Sequence, residues 1–461
     1  MPGNQSQRDM TTGPLGKQIL FFSLPLMLSN VLQVLLNMSD IAVVGRFDGA
    51  HSLGAVGSTS VLVTLFTGFL IGVGSGVNVH VARFLGAKSR NDTEETVHTA
   101  ALLSLFIGVV MLLIGLFFSR GFLELLNTKE ELIDGATLYL QIYFLGMPAL
   151  AIYNWGNAVL SAAGDTKKPL YILAAAGVLN VALNLFFVIV CRLGVAGVAI
   201  ASASSQWMSA ILMIAVLLRA RDSYALRPSR LRLSREKAAM ILKLSLPAGL
   251  QNAIFAIANL FIQAGVNSFD AVVVEGNSAA TNADALVYDV MAAFYTACSS
   301  FMSQNYGAGQ RKRVLRSYLI SLAYSFGMGA VLGLSLAALG SQFLSIFTID
   351  AAVVQAGMTR LQVMGLSYAF SAFMDCTISA SRGLGKSLMP TIIVILGSCV
   401  FRVVWVYTIF AYFHTILSLY LLYIFSWSLT AAAEILYFVK CYRDQIARPG
   451  TLPDAAEQAA N

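Results

Sequence analysis

The sequence predicts an all-α integral membrane protein with twelve transmembrane helices in two parallel six-helix repeats. Apolar runs of spanning length follow one another with little between them. Landmarks of the first half recur in the same order and at near-constant spacing in the second, and Lys and Arg crowd into alternate connections.

The apolar runs set the class. Hydrophobic residues make up 57% of the chain and charged residues 11%, against roughly 25% charged in ordinary soluble domains. Mean hydropathy is +0.73. A soluble fold of this length needs a charged surface that these residues cannot supply, whereas a bilayer accepts apolar side chains on the outside. A spanning helix needs about 20 mostly apolar residues. Spans are predicted near 16–43, 54–84, 95–119, 132–158, 170–191, 195–218, 239–267, 279–304, 315–339, 353–380, 389–413 and 416–439. The first fifteen residues are polar and Gly-rich, with no short apolar core and cleavage site, so the first span is expected to act as its own insertion signal. Five cysteines and four histidines are scattered without ligand spacing, which predicts neither a metal centre nor a disulfide framework.

Charge distribution sets the expected topology. Arg219, Arg221, Arg227, Arg230, Arg232, Arg235 and Lys237 share one connection, and Arg311, Lys312, Arg313 and Arg316 share another. Lys88, Arg90, Lys167, Lys168, Arg382 and Lys386 fall in connections of the same parity. By the positive-inside rule these connections and both termini are cytoplasmic. The net charge of +7 is then a topology signal rather than a nucleic-acid patch. The expected organisation is a cytoplasmic segment 1–15, a six-helix lobe 16–218, a basic linker 219–238, a second lobe 239–440 and a tail 441–461, its polar end disordered.

The duplication is carried by three landmarks. Pro25, Asn30 and Asn37 fall on Pro247, Asn252 and Asn259, Gly86-Ala87 on Gly307-Ala308, and Gly164 and Pro169 on Gly385 and Pro390. Six spans per half give both halves the same orientation, hence parallel repeats about an axis along the membrane normal. Two such bundles are expected to enclose a cleft that rocking exposes to alternate sides. A duplicated scaffold without transport, and an intramembrane enzyme, remain open from the residues alone.

Polar groups at bilayer depth avoid lipid and point into a bundle or cavity. On the first span Asn30, Gln33, Asn37 and Asp40 lie within about an 80° arc at about 100° per residue. Asn252, Asn259 and Gln263 form the matching stripe on the seventh span, where Asp40 is replaced by Ile262. Asn180 and Asn184 share a face of the fifth span, and Asn154 adds an amide to the fourth. An intramembrane acid costs about 2.5–3.5 kcal/mol at mid-depth, so Asp40 needs a partner or a task. A buried carboxylate can exchange a proton for a cationic substrate, or bind Na⁺ with amide oxygens as co-ligands. Asp40 with Asn180 and Asn184 is therefore the candidate ion-coupling group. Gln33, Asn37, Asn154, Asn252, Asn259, Asp284 and Asp375 are the candidate substrate contacts. Arg402 reads as the only cation deep in a span and is expected to neutralise an acid such as Asp375. Glu434, near a span end, is expected to pair with basic neighbours.

GLGKS at 383–387 resembles the end of a phosphate-binding loop, but the required upstream glycine is Ala380 and the segment joins two spans. ATP-driven transport by this chain alone is excluded, and no Ser-His-Asp or Cys-His set is evident.

NMSDIAVVGRF (37–47), AAGDTKKP (162–169), SQNYGAG (303–309) and ASRGLGKSLMP (380–390), with the Pro25 helix and the Gly86-Ala87 turn, resemble the multidrug and toxic compound extrusion (MATE) family over about residues 16–440. The resemblance implies a V-shaped pair of six-helix lobes and a plasma-membrane antiporter. Such a protein exports amphipathic, mostly cationic organic compounds in exchange for H⁺ or Na⁺. It also implies a coupling role for Asp40, which matches the family's acid on the first helix. A second acid that some members carry on the fifth helix is Asn184 here. Another branch has an acid on the seventh helix, where this chain offers Asn252, Phe255 and Asn259. The expected partners are a small organic substrate and membrane lipids, with no nucleotide, nucleic acid or cofactor beyond Na⁺ as a coupling ion, and the expected state is a monomer. The alternative function is a flippase for a lipid-linked or amphipathic anionic substrate.

Overall fold

The computed structural model describes residues 9–447, and every regular element among them is helical. Residues 1–8 of the predicted N-terminal segment, and 448–461 of the tail expected to be disordered, lie outside the described residues. The helices are α1 (Leu15–Phe47), α2 (Ala50–Gly86), α3 (Arg90–Leu125), α4 (Glu130–Phe144), α5 (Met147–Ala162), α6 (Lys167–Leu185) and α7 (Gly194–Arg219) in the first half. The second half holds α8 (Arg235–Val266), α9 (Ala271–Gly307), α10 (Arg311–Leu344), α11 (Ala351–Gly383), α12 (Leu388–Phe413) and α13 (Ile416–Tyr442).

Ten helices among the described residues are long and apolar enough to cross a membrane, and the α4–α5 pair makes an eleventh span bent by 47°. The twelfth is α11, 33 residues long, whose Arg360, Asp375 and Arg382 lower its hydropathy. The single span predicted at 132–158 is therefore two helices. Pro148 lies in the first turn of α5, where its missing N–H is harmless, but it could not have donated inside a continuous helix. Its counterpart in the second repeat is Ala369, and there α11 runs unbroken.

The repeat is visible element by element. Helices α2 and α9 both have 37 residues. The offset between their first residues, Ala50 and Ala271, equals that between Glu130 and Ala351 and that between Ala162 and Gly383, so α11 matches the α4–α5 pair end to end. Gly164 and Gly385, just past α5 and α11, take φ of 85° and 82°. This is the left-handed conformation that closes a helix and that glycine adopts without a Cβ penalty. A π-helical turn follows α6 at Phe186–Val190, and another sits at Val406–Phe410 within α12.

By contacts the described chain divides into two units. One comprises residues 28–253, and the other residues 10–27 with residues 254 onward. Helices α1 and α8 are thus each shared: the first part of α1 packs in the second unit and the first part of α8 in the first. Pro25 and Pro247 sit inside these two helices shortly before the boundaries, each removing one backbone donor.

In the first unit α2, α3, α4, α5 and α7 pack around Leu70, Leu140, Phe144 and Val198. The basic linker folds over the start of α3. Tyr224 is 1% exposed, Glu94 pairs with Arg230, Lys237 Nζ reaches Asp92 at 2.6 Å, and the Arg227 N–H donates to His98 Nε2 at 2.9 Å. In the second unit α9, α10, α11 and α13 surround a core that includes Met291, Tyr368, Cys376 and Leu422. Helices α9 and α11 meet backbone to backbone: a Cβ on Gly276 would stand 2.7 Å from the Gly357 nitrogen and the Val353 oxygen. Gly276→Leu is therefore expected to lower stability by about 1–3 kcal/mol, as overpacked cores do. A thermal unfolding scan of the purified protein checks this, and Gly57→Leu, where nothing lies within 4 Å of the Cβ position, is the matched control.

Candidate functional site

The first unit brings together three helices around one acid. Asp40 lies seven residues before the end of α1, about 10 Å along the helix at 1.5 Å per residue. Its Oδ1 accepts a hydrogen bond from Asn184 Nδ2 on α6 at 2.5 Å, and its Oδ2 accepts one from Ser202 Oγ on α7 at 3.1 Å. The same Asn184 amide donates to Asn180 Oδ1 at 3.3 Å. Both partners of that NH₂ group are acceptors, which fixes the amide orientation. Asn184 is fully buried, and its Oδ1 has no hydrogen-bond partner. The rings of Tyr139 and Tyr143 stack 5.9 Å apart on α4. No ion pair to Asp40 forms among the described residues.

Chemically this is a carboxylate with donors on two edges, an unsatisfied amide oxygen beside it and no Lys or Arg partner among the described residues. A buried polar atom normally finds a partner, and leaving one without costs about 1–3 kcal/mol. The cluster thus has one acceptor and one negative charge in excess, the requirement for holding a small cation or a proton. Ser202 is the member that sequence reasoning missed. It sits in the small-residue run Ala201–Ser205, which reads as helix packing. Ser202→Ala removes one of the two donors to the carboxylate. Hydrogen bonds to charged groups contribute about 1.5–3 kcal/mol, so the variant should unfold at a measurably lower temperature than wild type in a thermal scan.

The other candidate contacts divide by surroundings. Gln33 and Asn37 are exposed on α1, while Asn154 on α5 is half-buried. Asn252 is committed to structure, its Nδ2 donating to the Gly68 carbonyl at 2.9 Å within the first unit.

In the second unit three expectations are corrected. Arg402 does not pair with Asp375. It is 2% exposed, and its guanidinium donates to Asn259 Oδ1 at 3.2 Å and Ser426 Oγ at 3.3 Å. It also lies over the rings of Phe255, Tyr423 and Trp427 at 5.3, 4.9 and 5.9 Å. Amide, hydroxyl and aromatic faces satisfy this cation in place of a carboxylate, and Asp375 Oδ2 is left buried without a partner.

Nor is Arg402 the only deep cation. Arg360, 4% exposed on α11, forms an ion pair with Asp284 on α9. Its Nε donates to Asp284 Oδ2 at 3.0 Å and its Nη1 to Asn277 Oδ1 at 2.9 Å. Tyr368 donates its hydroxyl to Asp284 Oδ1, and Tyr420 donates to Asn277 Oδ1 at 3.2 Å. Asp284 is thereby fully engaged inside the unit.

Glu434, finally, has no ion pair among the described residues. It is fully buried on α13 with both oxygens lacking hydrogen-bond partners. Its helical neighbours three and four residues on are Tyr437 and Phe438, while Lys440 and Arg443 fall on other faces. No group of three or more His, Cys, Asp or Glu among the described residues could hold a metal ion.

Comparison with known proteins covers both repeats. The MatE family model matches residues 25–186 and 247–408. The probable multidrug resistance protein YpnP of Bacillus subtilis is 33% identical over 66% of this chain and 68% of its own length. A FAD transporter of Shewanella oneidensis is 26% identical over 76% of this chain and 78% of its own. Among solved structures, a MOP superfamily transporter from Pyrococcus furiosus superposes with a TM-score of 0.90 at 21% identity. That match covers 97% of this chain and 100% of the other.

Proposed function

This chain belongs to the MatE family, whose members are membrane transporters and not enzymes, and from that premise we propose that it is a secondary-active antiporter exporting amphipathic organic cations in exchange for H⁺ or Na⁺. The observation that carries the reading is the Asp40 cluster: a carboxylate without a Lys or Arg partner among the described residues, beside the orphaned Oδ1 of fully buried Asn184. Asp40 takes up the coupling ion, with Asn180 and Asn184 as amide oxygen ligands when that ion is Na⁺. Gln33 and Asn37, exposed on the same helix, supply hydrogen bonds to substrate. Substrate and ion then compete for one acid, so loading of one releases the other during alternating access. The protein acts as a monomer in the plasma membrane with both termini cytoplasmic, in keeping with the Lys and Arg distribution. Relatives named as multidrug resistance proteins support export of varied compounds.

A second reading, transport of an anionic or lipid-linked amphiphile, draws on Arg402, a buried guanidinium among aromatic rings without a carboxylate partner, and on the FAD transporter relative. Purified protein in liposomes under separate imposed H⁺ and Na⁺ gradients, with a panel of cationic and anionic dyes, distinguishes the two. Gradient-driven movement of cationic dyes is expected. Movement of anionic dyes alone would select the second reading, and no gradient-driven flux at all would overturn both.

A further inference from the structure

The two halves treat the same position in opposite ways. Tyr139 is the tenth residue of α4 and Arg360 the tenth of α11, so the repeat places one on the other. In the first unit Tyr139 stacks on Tyr143. In the second, Arg360 stands in the tyrosine's place and Ile262 (3% exposed) in the place of Asp40. The Arg360 guanidinium lies over the rings of Tyr420 and Tyr423, each at 5.2 Å. Around it are one carboxylate (Asp284), one amide oxygen (Asn277) and two phenols (Tyr368, Tyr420). In the first unit amides and a hydroxyl surround Asp40, which forms no ion pair among the described residues. In the second an acid, an amide and aromatic rings surround Arg360, itself a cation.

We propose that Arg360 is a tethered cation filling a cation site of the second unit, and that removing the guanidinium opens that site to a free cation between Asp284, Asn277, Tyr368 and Tyr420. A guanidinium-sized cation fits best, since the planar fork matches the carboxylate and the amide oxygen together, while aromatic faces favour any desolvated cation. The inference stands independently of the coupling role of Asp40.

The test uses full-length protein in the Asp40→Asn background, which removes the Asp40 carboxylate. Thermal unfolding is followed with guanidinium chloride at non-denaturing concentration, with NaCl, or with N-methylglucamine chloride at equal ionic strength. Asp40→Asn alone should show no upward shift with guanidinium or Na⁺. Asp40→Asn/Arg360→Ala should unfold earlier and recover by several degrees with guanidinium, because ligand that binds only the folded state stabilises it. Recovery of folded protein only when guanidinium is present during purification counts as the same result. Adding Asp284→Asn should abolish the response. A triple variant that still responds would overturn the proposal. So would an Arg360→Ala protein insensitive to both cations, or one recovered only together with Asp284→Asn and never with guanidinium.

Discussion

Asp40→Asn is expected to abolish uphill export while leaving the protein folded. The amide has the size of the acid and can still accept from Asn184 or Ser202. The fold should therefore lose only about 1 kcal/mol, the worth of a weakened hydrogen bond. Asparagine cannot release a proton or neutralise a cation, so the exchange of ion against substrate has no titrating partner. The variant is held in the equivalent of the neutral acid. The pair of readouts separates coupling from folding: a thermal midpoint close to wild type, and gradient-driven accumulation lost.

The second large effect is on stability. Asp284→Asn leaves the Arg360 guanidinium, 4% exposed, without its counter-charge. Removing one partner of a buried ion pair costs about 3–5 kcal/mol, because the remaining charge stays desolvated. Asn277 and the rings of Tyr420 and Tyr423 stay in place but supply only partial charge. The variant should unfold well below wild type, or fail to accumulate. Arg360→Met combined with Asp284→Asn should recover much of the loss, since both charges leave together and methionine fills the space with apolar volume. Thermal scans of the two single variants and the double variant give the coupling energy directly. Independent, additive losses would mean that the two side chains do not act as a pair.

These two clusters also mark where the sequence speaks and where it is silent. Span count, the parallel repeat and the asymmetry between Asp40 and Ile262 follow from spacing alone, because bilayer depth leaves few positions for polar residues. The contact of Asp40 with Asn184 is within reach of the same reasoning, since both lie on polar stripes of their spans. Ser202 is not, because a serine among alanines has the same signature whether it packs a helix or holds an acid. Arg360 is legible as a charge inside its predicted span, yet its partner Asp284 lies on another helix, and periodicity does not register such pairs. Arg402 fails for the converse reason: charge arithmetic assigns it an acid, whereas the fold satisfies it with Asn259, Ser426 and three rings. The break between α4 and α5 is marked by Pro148 but masked by an apolar run that continues on both sides.

The central claim is that ion exchange runs through Asp40 in the first unit. Its most direct test is the initial rate of uphill substrate movement in liposomes holding equal amounts of wild-type and Asp40→Asn protein, under an H⁺ gradient and then a Na⁺ gradient. Wild type is predicted to respond to at least one gradient and the variant to neither. An Asp40→Asn protein that concentrates substrate at the wild-type rate would contradict the claim.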